Sequence, residues 1–310
     1  MNFLKSIRYQ NLLMLIFMQL IFHYGLLKMR GIIPALNDWQ YAILILSTVC
    51  IAAGGYLINN IFDQETDAVN KPGNVVVGKG ISEGAAYNYY VILNVIGVGA
   101  GFYLSNIIGK PGFAALFIVI ASTLYIYASS LKQSLLIGNF IVALLLSISV
   151  VIIRIFDLYP LLNNENQAVL GIIFGVILDY AIFAFIINFI REIVKDLEDV
   201  DGDYNLGMNT LPIAIGVART SKIVFWISLA PILILLYYIN KYFVANDLFI
   251  VTGYGLLFVV GPLIYFSIKM WTAKTKKDFH HLSNVLKLVL FFGILSVLVI
   301  SLNIRYHAQG

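Results

Sequence analysis

Nine times in 310 residues the chain runs for about twenty positions with hardly a charge. No other feature limits its fold as much. A hydrocarbon core about 30 Å thick is crossed by about 20 helical residues, and helices crossing it can pack only against one another. The runs lie at 11–29, 42–62, 85–104, 112–130, 135–153, 168–190, 222–240, 248–268 and 286–304. Sixty per cent of the residues are hydrophobic and 12% charged, where soluble domains carry about a quarter charged. The expectation is an all-α polytopic membrane protein: a nine-helix bundle, residues 1–310 forming one unit. The apolar stretch behind Lys5 and Arg8 lacks a small-residue cleavage site and reads as a retained first span.

Lysine and arginine set the expected orientation. With the N-terminus in the cytoplasm of a cell-membrane protein, 14 of the 20 basic residues fall on or near the cytoplasmic side. The basic stretch 269–287 belongs to that signal, with attraction of anionic membrane lipids as an extra. Nothing in the pattern points to nucleic acid.

Two acidic rows interrupt this scheme. Asn59, Asn60, Asp63 and Asp67 follow the second run, and Asp196, Asp199 and Asp203 follow the sixth. Both runs are even-numbered, so both rows are expected on the same cytoplasmic face, although Asp63 and Asp199 lie 136 positions apart. The spacing i, i+3, i+7 recurs in Asn60, Asp63, Asp67 and in Asp196, Asp199, Asp203, and it lines one face of a helix. Asn59, Asp63 and Asp67 make a second stripe on nearly the same face. Crowded carboxylates repel one another, and a divalent cation relieves that best. Oxygen-only donors without a nearby His or Cys cluster favour Mg2+, with Mn2+ as the alternative. Two facing rows then suggest a clamp for a magnesium-bound diphosphate. The competing explanation for one row alone is a solvated membrane boundary. The loops at 63–84 and 191–221 are long enough to cap this end over a central cavity.

The stretch "NNIFDQETDAVNKP" resembles the first signature of the UbiA-type intramembrane prenyltransferases, and "KDLEDVDGD" resembles their second aspartate motif. Residues 125–145 are similar to the family's segment between spans four and five, and "IRYQN" to its start. The resemblance implies magnesium-dependent transfer of a prenyl group from a prenyl diphosphate to a lipid-soluble acceptor. It implies metal ligation by Asn59, Asp63, Asp67, Asp196, Asp199 and Asp203, with Asp63 and Asp199 central to catalysis. Lys132 would contact phosphate, as would Arg8 and Lys71. Tyr127, near Lys132, would face the developing cation. Asp179, an ionisable residue inside the sixth run, is a candidate for touching the acceptor or for pairing with a neighbouring helix. Two departures stand out: Asn60 replaces the usual Asp, and the loop "NKPGNVVVGKG" carries no arginine. The second motif is most similar to the branch making digeranylgeranylglyceryl phosphate, which implies geranylgeranyl diphosphate as donor and geranylgeranylglycerol phosphate as acceptor. An aromatic quinone precursor such as homogentisate is the alternative acceptor. An ion-coupled transporter and a non-catalytic isoprenoid-binding relative are the alternatives of other classes.

Overall fold

The computed structural model describes residues 2–70 and 75–307. Among these, nine helices are long and apolar enough to cross a membrane: α1 (Tyr9–Arg30), α2 (Asp38–Phe62), α3 (Glu83–Ile107), α4 (Pro111–Ser129), α5 (Ile137–Leu161), α6 (Gln167–Asn205), α7 (Val217–Asn246), α8 (Phe249–Thr272) and α9 (Lys276–Tyr306). Short helices precede α1 (Asn2–Ser6), follow α2 (Gln64–Asn70) and follow α6 (Leu211–Ile215). The only β pairing among the described residues is an isolated bridge between Val77 and Ile81.

Local chemistry starts and stops these helices where the backbone needs it. At α2, Asn37 accepts the Gln40 N–H and the Gln40 side chain accepts the Asn37 N–H, each at 2.9 Å. This reciprocal box satisfies two donors that a helix start leaves open. At α6 the helix runs on until Leu206, and Gly207 then takes a left-handed φ of 67°, the common way to end a helix.

Every expected span has its helix, and the differences lie at the ends. The sixth run was expected to stop at 190, and the ninth to begin at 286. Instead α6 continues to Asn205 and α9 begins at Lys276, so most of the loop expected at 191–221 is helix. The end of an apolar run is not the end of a helix. Glu, Lys, Arg and Leu favour helix as strongly as most apolar residues do, and the Lys195–Glu192 ion pair at 2.7 Å supports the extension one turn apart. At 1.5 Å per residue, the 39 residues of α6 reach about 58 Å, nearly twice the hydrocarbon thickness. Its C-terminal third therefore brings charge to the end of the bundle without breaking the helix.

Two apolar cores meet along α6. Phe22, Leu27, Leu44, Phe117, Phe156 and Ile177 centre the first, among α1, α2, α4, α5 and the first half of α6. Ile193, Leu263, Phe266, Phe279 and Leu286 centre the second, between the rest of α6 and α8 and α9. Between α2 and α3 the backbones almost touch. Ser47 Oγ donates to the Gly97 carbonyl at 2.6 Å, and a Cβ on Gly97 would come within 3.0 Å of the Ser47 carbonyl oxygen. Small residues at such crossings are how membrane helices gain packing.

Candidate active site

The apolar run of α2 ends at Phe62, and Asp63 sits in the turn behind it. Helical bonding nearly survives the turn: the Asp63 N–H reaches the Asn59 carbonyl at 2.9 Å, and the Asp67 N–H reaches the Asp63 carbonyl at 2.8 Å. The chain thus steps Asn59, Asp63, Asp67 along one side. Asn60 lines the same cavity as these three. Its Nδ2 donates to the Ser6 carbonyl at 2.7 Å and ties α2 to the N-terminal helix. Both expected stripes, Asn60, Asp63, Asp67 and Asn59, Asp63, Asp67, therefore reach the cavity, with the Asn60 Nδ2 engaged by the chain's own backbone.

Asp63 is held from two directions. Asn59 Nδ2 donates to its Oδ2, and Lys132 makes a close ion pair with its Oδ1. Lys132 stands on the tight turn Leu131–Gln133 between α4 and α5. Both side chains are largely buried, Lys132 at 9% and Asp63 at 16% exposure, so solvent screens this pair weakly. The Asn59 Oδ1 atom is buried and has no hydrogen-bond partner among the described residues.

The second row lies on unbroken helix. Asp196 accepts from Asn139 Nδ2 of α5 at 2.7 Å; Asp203 is buried and Asp199 half-buried. The short helix Gln64–Asn70 packs against α6, which brings the two rows to one place. There a cavity of about 1030 Å³ opens, lined by Asn59, Asp63 and Asp67 on one wall and Asp196, Asp199 and Asp203 on another. Arg8, Tyr127 and Lys132 also line it. Arg8 takes a left-handed backbone (φ 48°, ψ 54°) between the first two helices, a conformation rare outside glycine, and its guanidinium lies 5.4 Å from the centre of the Tyr56 ring.

One expected site residue among the described residues is not brought here. Asp179 is exposed and does not line the cavity; its hydrogen-bond partner is Tyr238 of α7. An ionisable residue inside an apolar run does signal a partner, but here the partner is a neighbouring helix. Lys71 lies outside the described residues.

Among the described residues, no three His, Cys, Asp or Glu side chains converge as a ready-made metal cluster. The donor set still suits a hard divalent cation. It is all oxygen, it lies on two walls of one cavity, and it includes the unpartnered Asn59 Oδ1. Magnesium commonly takes only one or two carboxylates and completes its shell with water and phosphate oxygens, so three convergent carboxylates are not required.

Sequence reasoning missed Asn139, which orients Asp196. A polar amide inside an otherwise apolar run was the available signal. Glu192 was missed too. It is buried on the cavity wall between Arg191 and Lys195.

Nine apolar helices among the described residues, six of which line an acidic cavity, define an integral membrane protein with its polar site inside the bundle. The sequence model of the UbiA prenyltransferase family matches residues 20–295, and the chain belongs to that family: it is a prenyltransferase. Among curated relatives, digeranylgeranylglyceryl phosphate synthase of Thermococcus kodakarensis is 30% identical over 287 residues, 90% of this chain and 93% of that one. The synthase of the same name from Korarchaeum cryptofilum is 28% identical over 269 residues, 84% of this chain and 86% of that one. The solved structure of a UbiA homolog from Archaeoglobus fulgidus bound to DMAPP and Mg2+ has the same fold. Its TM-score is 0.60 at 14% identity, covering 96% of this chain and 99% of that one.

Proposed function

We propose that this chain transfers a prenyl group, geranylgeranyl in the first instance, from its diphosphate to the free hydroxyl of geranylgeranylglycerol phosphate, with Mg2+ at the acidic rows. The observation that carries this reading is that the rows at Asp63 and Asp199, far apart in sequence, line one cavity with Lys132 beside them. The relatives named above for digeranylgeranylglyceryl phosphate synthesis support the choice of acceptor. The Archaeoglobus fulgidus structure with DMAPP and Mg2+ supports the donor class and the metal. The lysine and arginine bias supports an N-terminus and an active site on the cytoplasmic side.

In the transfer, the bond between prenyl C1 and the diphosphate oxygen breaks, and a bond from the acceptor oxygen to C1 forms. The acceptor hydroxyl proton leaves to a cavity carboxylate or water. Asn59, Asp63 and Asp67 on one wall, and Asp196, Asp199 and Asp203 on the other, would hold magnesium. When bound, magnesium neutralises the departing diphosphate as a Lewis acid and template. Asn139 keeps Asp196 turned to the cavity. Lys132 supplies a point charge for phosphate, and Arg8 supplies a second cation at the cavity wall. Tyr127 offers a ring face to the allylic charge, worth about 2 kcal/mol where water is excluded.

The test uses the full chain in lipid nanodiscs with labelled geranylgeranyl diphosphate. Each acceptor, geranylgeranylglycerol phosphate or homogentisate, is supplied in turn, and the products are read by mass spectrometry. A diether phosphate that forms with Mg2+ and disappears with chelator is the expected result. Turnover of homogentisate alone moves the acceptor to the quinone class. Full turnover in chelator removes the metal from the reading.

A further inference from the structure

The acidic rows leave part of the cavity wall unexplained. Arg191 on α6 and Lys287 on α9 both line the cavity, and Lys287 closes the basic stretch 269–287 of the orientation signal. Their helices run antiparallel in a fixed register. His280 Nδ1 meets Glu198 Oε1 at 3.1 Å, Phe183 lies against Gly293, and the Tyr180 hydroxyl meets Ser296 Oγ at 2.6 Å. Numbers fall along α6 as they rise along α9. From the Glu198–His280 contact, seven residues back along α6 lead to Arg191, and seven forward along α9 lead to Lys287. At 1.5 Å per residue, both steps are about 10 Å deeper into the bundle. The two cations therefore stand opposite one another, near enough to interact electrostatically.

Neither has an ion pair to itself there. Arg191 Nε is buried without a hydrogen-bond partner among the described residues. Its contact with Glu192 Oε1, at 3.6 Å from a terminal nitrogen, is longer than a hydrogen bond. Glu192 in turn takes its hydrogen bond from Lys195 at 2.7 Å. Lys287 makes no ion pair among the described residues. Arg191 and Lys195 thus share the carboxylate of Glu192, and Lys287 has no carboxylate of its own among the described residues. Two facing cations in a poorly screened wall repel one another, and leaving a buried donor unmatched costs stability. An anion placed between them removes both penalties, and a guanidinium fork suits phosphate oxygens in particular. The ordinary diphosphate partners, Lys132 and the metal-binding rows, lie nearer the end of the bundle. Arg191 is five residues, about 7 Å along the helix, from Asp196 and further from Asp199.

We propose that Arg191 and Lys287 form the site for the phosphate of the acceptor lipid, separate from the diphosphate site at the acidic rows; this rests on the lipid-phosphate acceptor proposed above. Asn284, one turn before Lys287 and also on the cavity wall, adds an uncharged donor. The cations thereby select among acceptors, favouring a lipid alcohol that carries phosphate over one that does not.

The experiment crosses enzyme variants with acceptors. Wild type, Lys287→Gln, Lys287→Arg and Arg191→Gln are assayed in nanodiscs with geranylgeranyl diphosphate. The acceptor is either geranylgeranylglycerol phosphate or the dephosphorylated geranylgeranylglycerol. Lys287→Gln and Arg191→Gln should each raise the KM for the phosphate-bearing acceptor at least tenfold. The KM for geranylgeranyl diphosphate should stay within twofold. With the dephosphorylated acceptor, wild type and variants should perform alike, and Lys287→Arg should recover most of the loss. Thermal unfolding of each variant reports folding, and Arg191→Gln reads the same site from the other helix should Lys287→Gln misfold. An equal loss on both acceptors, or a raised KM for the diphosphate, overturns the proposal. If wild type uses the phosphate-bearing lipid and Lys287→Gln is unimpaired, the subsite alone is wrong. If wild type refuses that lipid but prenylates a phosphate-free acceptor, the acceptor reading fails and the subsite with it.

Discussion

The bundle buries charge at both ends, in opposite ways. Far from the acidic rows, where α1 and α5 end and α2 begins, His23 and Asp157 are fully buried side by side. His23 Nδ1 lies 2.6 Å from one carboxylate oxygen of Asp157, and the Leu36 N–H donates to the other at 3.3 Å. The His23 ring stacks on Tyr41 at 3.8 Å, and the Tyr41 hydroxyl donates to the Gln19 carbonyl at 2.6 Å. Both oxygens of the carboxylate are matched, and neither residue lines the cavity. At the other end polar atoms face an open volume, and Asn59 Oδ1 and Arg191 Nε are buried without partners among the described residues. The cavity, more than charge, separates the two: His23 Nε2 and Gln19 Nε2 are also buried without hydrogen-bond partners among the described residues, but neither residue lines it. A matched buried pair holds helices together, whereas an unmatched one on a cavity wall awaits a ligand.

This contrast breaks most readily at the acidic rows. Asp63→Ala or Asp199→Ala should lower prenyl transfer on the order of 10⁴-fold, about 5.4 kcal/mol of barrier. The unfolding temperature of the purified protein should hardly move for Asp199→Ala, whose side chain faces the cavity, and should fall for Asp63→Ala, which leaves Lys132 largely buried without its partner. A large drop in that temperature with activity per folded molecule retained would place them with the packing.

Asp157→Ala should do the reverse. Removing one partner of a fully buried pair costs about 3–5 kcal/mol, so thermal unfolding in detergent should shift down sharply. Activity of the remaining folded protein should match wild type. If activity falls and stability holds, the His23–Asp157 pair takes part in the chemistry, and the contrast between the ends dissolves.

How much of this was legible in sequence follows from the range of each signal. Apolar runs are local, and all nine helices could be placed from them. The shared face of the two rows followed from counting spans, because each crossing reverses the chain. Contacts between distant residues were another matter. His23 and Asp157 are 134 positions apart, and Asn139 and Asp196 are 57 apart; no local pattern announces either pair. Asp179 carried two readings, because cost inside a membrane signals a partner without saying whether the partner is a ligand or a residue on the next helix. The length of α6 was misjudged because apolar content was made to stand for helicity. Arg191 and Lys287 each looked like boundary charges, and only the register of α6 on α9 sets them face to face.

The smallest expected effect belongs to Asn60, which stands between the two kinds of behaviour. It lines the cavity, yet its Nδ2 donates to the Ser6 carbonyl at 2.7 Å. Asn60→Asp exchanges that donor for a carboxylate oxygen and sets two acceptors against each other. A partly buried acceptor left unmatched costs about 1–3 kcal/mol, so the unfolding temperature should fall modestly. The magnesium concentration for half-maximal turnover should stay unchanged, because the new charge points at the N-terminal helix. The opposite pair of results, a lower magnesium requirement with unaltered stability, would mean that the added carboxylate swings into the cavity and joins the row. Asn60 would then belong with Asn59, Asp63 and Asp67, and the Ser6 contact would be a resting position that the residue gives up when cation arrives. Titrating magnesium against turnover and melting the same preparation decide between them, since the new carboxylate cannot both face the Ser6 carbonyl and join the row.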